Sequence, residues 1–334
     1  MASVAHAAAR RQHERKRQTL TPDSELPKLI VVTGPTAAGK TTLGVELGLH
    51  FDAEVVNADS RYLYRGFNIG TAKPTLEELR GVPHHLIDVL GPTEDFSLAR
   101  YQEFAYEAIA AILDRGKLPL LVGGTPLYVN AVIEGWKIPR VPPHPEIRAR
   151  LEREATEFGA PALSARLAEI DPAAAEKCGI NTRRIIRALE IHEVTGQPMS
   201  SLEGKGPRPY STLEIGLTTA RERLHQLIDS RVDTLFERGL VEEVRGLLES
   251  GVPADAPAMS SIGYRQLLPF LSEEQSLAVA TQQIKSDTHR YVRHQETWLR
   301  SNKRLVPIDS ANADWIEQGV NLVTTFISNE RMPS

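Results

Sequence analysis

Residues 28–51 read KLIVVTGPTAAGKTTLGVELGLHF, and the order of features in that stretch decides the fold. The opening apolar run is a short buried strand, and the closing half spaces its apolar residues as a helix does. Between them Gly34, Pro35, Thr36, Ala37, Ala38, Gly39, Lys40 and Thr41 match G-x-x-x-x-G-K-[ST], placed after a strand and before a helix as the mechanism requires. Glycines let successive backbone N–H groups converge on phosphate oxygens. The helix N-terminus adds a partial positive charge, Lys40 adds a full one, and the Thr41 hydroxyl is a ligand for magnesium. A diphosphate or a triphosphate fits equally. The loop alone leaves open whether the phosphates belong to a nucleotide that donates a phosphoryl group or to a leaving group displaced from carbon.

Working outward, AEVVNADS (53–60) reads as a second short strand that ends in Asp59, and DFSLARYQEFAYEAIAAILDRGK (95–117) as an amphipathic helix. LPLLVGGTPLYVNAVIEG (118–135) repeats strand, glycine turn and helix. Alternation of this kind predicts an α/β chain with a parallel sheet covered on both faces. After Gly135 the pattern changes. WKIPRVPPHPE is proline-rich, and Ile147 to Gly196 is helical with no convincing strand. A strand-like run returns at LEIGLTT (213–219), followed by a helical stretch from Arg221 to Ser250 broken at Gly239 and a helix from Ser272 to about Arg300. The expected organisation is a disordered basic extension over 1–27, a core of 28–135 and 211–308, a helical insertion over 136–210, and a tail from 309 to 334.

Composition narrows the function classes. The 41% hydrophobic and 25% charged residues suffice for a packed core. Cys178 is the single cysteine, which excludes a disulfide framework and a multi-thiolate zinc site and fits a reducing, cytoplasmic setting. No apolar run approaches the roughly 18 residues that cross a bilayer, so no membrane partner is expected. A net charge of −4 argues against a uniformly basic coat for nucleic acid, although a gathered stripe of arginines would still bind it.

Several phrases accumulate around the loop: NADSRYLYRGFNIGTAKP (57–74), PHHLID (83–88) and LVGGTPLY (121–128), with NTRRIIRALEI, LIDSRVDTLFERGLVEEV, SSIGYRQ and HQETWLR further on. In this order, over roughly Lys28 to Lys303, the chain resembles the tRNA dimethylallyltransferases. The resemblance implies a P-loop NTPase-like parallel sheet core with an inserted all-helical domain. It implies that the loop holds the diphosphate of dimethylallyl diphosphate with Mg2+, no nucleoside triphosphate being consumed. It also implies transfer of the dimethylallyl group to the N6 amino group of the adenosine immediately 3′ of the anticodon, in tRNAs reading codons that begin with U. A monomer is the default.

An adenine amino group is a poor nucleophile, and Asp59, at a strand end where ligands bind in open α/β sheets, matches the family's general base. Capping the next helix or ligating magnesium are the other uses of such a residue. Arg231 matches an arginine assigned to the diphosphate; without the resemblance it reads as a solvated helix residue. Thr36 would contact the donor phosphates or the channel throat. Thr125 would contact the tRNA, as would Asp59, Ser60, Arg61 and Tyr62. In the insertion Arg148 and the stripe Arg183, Arg184 and Arg187 match tRNA contacts, with pairing to Glu176 or Glu190 as the alternative. His84 and His85 are adjacent, a weak metal pattern. Three positions depart from the family: Tyr62 stands where Gln is common, and His289 and His294 where basic residues are usual. A small-molecule kinase, a transferase acting on free adenine nucleotide and a non-catalytic RNA-binding P-loop protein are the competing readings.

Overall fold

The computed structural model describes residues 26–328. The extension expected over 1–27 therefore lies outside the described residues, save for Leu26 and Pro27. The chain runs β1 (Lys28–Thr33), α1 (Lys40–Phe51), β2 (Glu54–Asn57), a one-turn α2 (Leu76–Leu79), β3 (His84–His85), α3 (Leu98–Asp114), β4 (Pro119–Val122) and α4 (Pro126–Ile133). A two-residue strand β5 (Trp136–Lys137) leads into α5 (Pro145–Phe158), α6 (Ala160–Ile170), α7 (Pro172–Cys178), α8 (Thr182–Thr195) and α9 (Met199–Leu202), and β6 (Gly204–Lys205) leads out. Then follow β7 (Ser211–Thr218), α10 (Arg221–Glu237), α11 (Leu240–Glu249), α12 (Tyr264–Leu271), α13 (Leu277–Ser301), β8 (Val306–Asp309) and α14 (Trp315–Ile327).

Six strands form one parallel sheet in the order β3-β2-β4-β1-β7-β8. Each central strand is apolar on both faces because helices cover both. Leu29 and Val31 pack with Tyr101, Ile109 and Val129 of α3 and α4 and with Tyr264 of α12. Ile30 and Val32 pack with Leu43 and Leu47 of α1 and with Val323 of α14. Each such side chain contributes roughly 1.5–3 kcal/mol on burial, so the run Leu29 to Val32, fully buried, dominates the local energetics. β1 has β4 on one side and β7 on the other, so the loops leaving β1, β2 and β4 meet at one edge of the sheet.

The structure departs from the sequence expectations at three places. β3 lies at the sheet edge, with His84 and His85 in register with Val55 and Val56; two histidines carry no apolar signal. β5 and β6 form a short antiparallel pair at the neck of the helical segment, where no strand was expected. The stretch beyond 309, set apart as a tail, carries α14 against α1. A Cβ on Gly39 would stand 3.0 Å from the Trp315 ring, and one on Gly319 2.7 Å from Leu43, so each glycine is where a neighbour comes close. Helices α5 to α8 have an apolar core of their own, built from Leu151, Leu163, Leu167, Ile185 and Leu189. Among the described residues no helix is long and apolar enough to cross a membrane.

Candidate active site

The phosphate loop closes a tight ring. Lys40 Nζ donates to the Pro35 carbonyl at 2.8 Å and the Ala38 amide to the same oxygen at 3.3 Å. Gly39 and Ala37 sit in the left-handed region, at φ 91° and 68°; the glycine does so without cost, the alanine with some strain. A cavity of about 580 Å³ opens beside the loop, lined among others by Thr36, Lys40, Thr41, Asp59, Tyr62 and Arg231. Burial, reinforced by Arg231, pushes the Lys40 ammonium down to about 8, while Asp59 acts in the opposite direction. Thus a cation held at a cost, a carboxylate and a guanidinium share one cavity from three distant parts of the chain. An anion of high charge is the ligand that relieves such an arrangement.

Each member is held from behind. Asp59 leaves the end of β2 in a turn: its amide donates to Asn57 Oδ1 at 2.9 Å, and its own Oδ1 accepts the Arg61 amide at 2.9 Å. Asn57 in turn donates to the carbonyls of Asp59 and Leu86, both at 2.9 Å. Strands β2 and β4 close up just here, because a Cβ on Gly123 would stand 2.2 Å from the Ala58 backbone. Thr125, at the start of α4, accepts the Ser60 amide on its hydroxyl at 3.1 Å and donates its own amide to the Ala58 carbonyl at 3.1 Å. Arg231 reaches from α10 to the Thr71 carbonyl at 3.4 Å. The loop that carries Thr71 is pinned by Glu243 of α11, whose carboxylate accepts the amides of Asn68 at 3.0 Å, Ile69 at 2.8 Å and Gly70 at 3.0 Å.

The sequence-derived candidates fall into distinct groups. Lys40, Thr41, Asp59, Tyr62 and Arg231 face the cavity together. Tyr62 stands against Thr41 and Arg231 and donates to the Ala72 carbonyl at 3.0 Å; burial pushes its phenol pKa up. It therefore lies beside the phosphate loop rather than with Ser60 and Arg61, whose guanidinium reaches Ser260 at 3.3 Å. Thr36 lines the cavity, yet its amide and hydroxyl both donate to Gln295 Oε1, at 2.9 and 3.3 Å. Gln295 is buried and also donates to the Gly124 carbonyl at 2.8 Å. One helical turn earlier lies Tyr291, whose side chain is 38% exposed while its hydroxyl is turned towards Thr125 and Gln295; the shelter of the hydroxyl and then Asp59 push its pKa up. Gln295, Tyr291 and Glu243 had no signal in the sequence beyond lying in HQETWLR or the helix before it and in LVEEV.

In the helical segment the arginines divide. Arg148 Nε donates to Glu190 Oε1 at 2.8 Å, Arg187 Nη1 to Glu190 Oε2 at 2.6 Å, and Glu190 is fully buried. Arg183 and Arg184 are exposed on α8. The first pair neutralises a buried carboxylate, which the Arg148 partnership holds below the usual range against the upward pressure of burial. Arg148→Ala would leave one of two counter-charges, and urea unfolding should report a loss of about 1–3 kcal/mol. The adjacent histidines are both engaged: His84 lines the cavity with its Nδ1 at the Val82 carbonyl, 2.9 Å away, and His85 Nε2 meets Glu54 at 2.6 Å. His289 stacks on His225 with ring centroids 4.2 Å apart, and its Nε2 is 3.0 Å from Asp229, within ion-pair distance but off hydrogen-bond geometry. His294 is exposed.

Comparison with known proteins adds an independent line. A family model described as IPP transferase matches residues 62–302. A tRNA dimethylallyltransferase of Thermomicrobium roseum is 54% identical over 291 residues, covering 87% of this chain and 88% of the relative. One from Roseiflexus sp. strain RS-1 is 49% identical over 300 residues, 90% of this chain and 98% of the relative. Among solved structures, the full-length tRNA isopentenylpyrophosphate transferase of Bacillus halodurans is 39% identical with a TM-score of 0.67, over 90% of this chain and 96% of that one. A eukaryotic dimethylallyltransferase acting on tRNA aligns with a TM-score of 0.79 at 26% identity, over 92% of this chain and 81% of that one.

Proposed function

The chain belongs to the IPP transferase family of tRNA dimethylallyltransferases, and from that premise we propose how its own residues transfer a dimethylallyl group to tRNA. The observation that carries the proposal is the convergence of Lys40, Asp59 and Arg231 on one cavity beside the phosphate loop. The donor is dimethylallyl diphosphate, with its diphosphate against the loop amides, Lys40 and Arg231. The acceptor is N6 of the adenosine 3′ of the anticodon, in tRNAs that read codons beginning with U. That adenosine is turned out of the loop so that its amino group reaches Asp59. The N6 lone pair forms a bond to C1 of the dimethylallyl group as the C1–O bond breaks and diphosphate leaves. Asp59 accepts the N6 proton, and Lys40 and Arg231 stabilise the charge that develops on the leaving oxygens.

Magnesium fits the donor set. Thr41 offers a hard oxygen ligand in the cavity, and an ion held mainly by diphosphate and water needs no cage of three acidic side chains. When bound it would neutralise charge on the diphosphate. Tyr62 supports the donor side, next to Thr41 and Arg231. The helical segment over 136–210 meets the anticodon stem-loop, with Arg183 and Arg184 among its exposed cations and Arg148 and Arg187 shaping the unit through Glu190. Ser60, Arg61 and Thr125 stand at the acceptor side. We assign the protein to the cytoplasm, where tRNA is, and read it as a monomer.

The test is transfer of label from radiolabelled dimethylallyl diphosphate, in the presence of magnesium, to unmodified tRNA whose anticodon ends in A, with AMP run in parallel. Label in tRNA and not in AMP is expected. Label in AMP would replace the proposal with a free-nucleotide transferase, and absence of label from both would leave phosphoryl transfer as the chemistry to examine.

A further inference from the structure

Gln295 lies on α13, yet its side chain bonds to two loops at the active edge of the sheet. Its Oε1 accepts the amide and hydroxyl of Thr36 at 2.9 and 3.3 Å, inside the phosphate loop. Its Nε2 donates to the Gly124 carbonyl at 2.8 Å, in the loop that leaves β4. The residue after Gly124 is Thr125, which holds the Ser60 amide at 3.1 Å, next in the chain to Asp59. The side chain is 3% exposed, and a Cβ on Gly124 would come 2.5 Å from its Nε2, so the bridge exists only because position 124 is glycine. Tyr291, one turn away, touches the same Thr125.

We propose that Gln295 is a positioning residue for the transfer: its two-ended amide sets the spacing between the phosphate loop and the strand end that carries Thr125 and, through Ser60, Asp59. This rests on the function proposed above. An amide suits the task, because it donates at one end and accepts at the other without carrying charge at any ordinary pH. An anionic side chain there would stand beside a bound diphosphate, and a cationic one would add to the burden on Lys40. The bridge touches neither the reacting carbon nor N6, so its contribution is alignment. A misplacement of about 1 Å between reactants costs on the order of 10²-fold in rate.

The experiment compares Gln295→Asn, which keeps the amide but is one methylene short, with Gln295→Glu, which keeps the reach and the Thr36 acceptor but cannot donate to Gly124 when ionised. Thermal melts give the folded fraction of each protein. Steady-state kinetics with dimethylallyl diphosphate and tRNA give kcat and both KM values per folded enzyme. Expected are a fall in kcat of about 100-fold for Gln295→Asn and about 10-fold for Gln295→Glu, with each KM within about 3-fold of the unchanged protein. A purely structural role would alter the melt and leave kcat per folded enzyme alone. A donor-binding role would raise the donor KM and spare kcat. Either result, or a Gln295→Asn variant within about 3-fold in kcat, overturns the inference. Failure of the unchanged protein to transfer label would instead overturn the function on which it rests.

Discussion

Asp59→Asn is expected to lower kcat by about 10³-fold while leaving donor and tRNA binding within a few-fold. The substitution preserves the shape of the side chain and an oxygen to accept the Arg61 amide, the turn bond now made at 2.9 Å, so the loop after β2 should keep its conformation. What it removes is the acceptor for the N6 proton. An amide oxygen is far too weak a base, and an N6 that cannot lose its proton carries positive charge through the bond-forming step. Quench-flow measurement of a single turnover with both substrates bound separates this loss from slow product release. If Asp59 only ligated magnesium, raising the metal concentration would restore most of the rate. A rate that stays low at every magnesium concentration assigns the defect to the missing base.

Lys40→Met should have two effects of opposite sign. The ammonium is held by the Pro35 carbonyl but is otherwise pressed by burial and by Arg231, which lower its pKa from 10.5 to about 8. Because the folded state binds this proton less tightly than the unfolded chain, the penalty is fully present below about pH 8 and is relieved as pH rises from 8 towards 10.5. Removing the charge should therefore stabilise the protein at pH 7, on the order of 1–3 kcal/mol, and by less above pH 10. The same change should raise the donor KM by roughly 10²-fold, since the cation that offsets the diphosphate is gone. In the unchanged protein the donor KM should climb above about pH 8, as free Lys40 loses its proton, and Lys40→Arg should flatten that rise. Denaturant titrations and initial rates between pH 6.5 and 9.5 read both effects. A Lys40→Met protein that is less stable, with an unchanged donor KM, would place the lysine outside the anion site.

Much of this architecture is legible in sequence because it is local. The loop from Gly34 to Thr41 is a contiguous motif whose flanking strand and helix have their own periodicities, and Asp59 lies two residues past a strand only four residues long. A parallel sheet follows from the alternation of such units, and the family phrases named the chemistry. The register of the sheet edges was less legible. β3 is two histidines long, and the strand before α14 is half-exposed, so neither carries a clear apolar pattern.

What the sequence by itself determined is the set of groups that meet in the cavity: a phosphate loop with Lys40, a carboxylate just past a strand end, and an arginine on a later helix. Tertiary structure decided how those groups are held and which look-alikes do something else. Gln295 meets Thr36 across 259 positions and Gly124 across 171, and Arg231 meets Thr71 across 160. Such contacts have no local periodicity, because they are fixed by the packing of α10 and α13 against the sheet edge. The same packing puts Tyr62 beside Thr41 and Arg231. In the helical segment, the burial of Glu190 draws Arg148 and Arg187 inward while Arg183 and Arg184 remain exposed. Residue type and spacing specify which charges are available, and burial of the partner decides which of them are already spoken for.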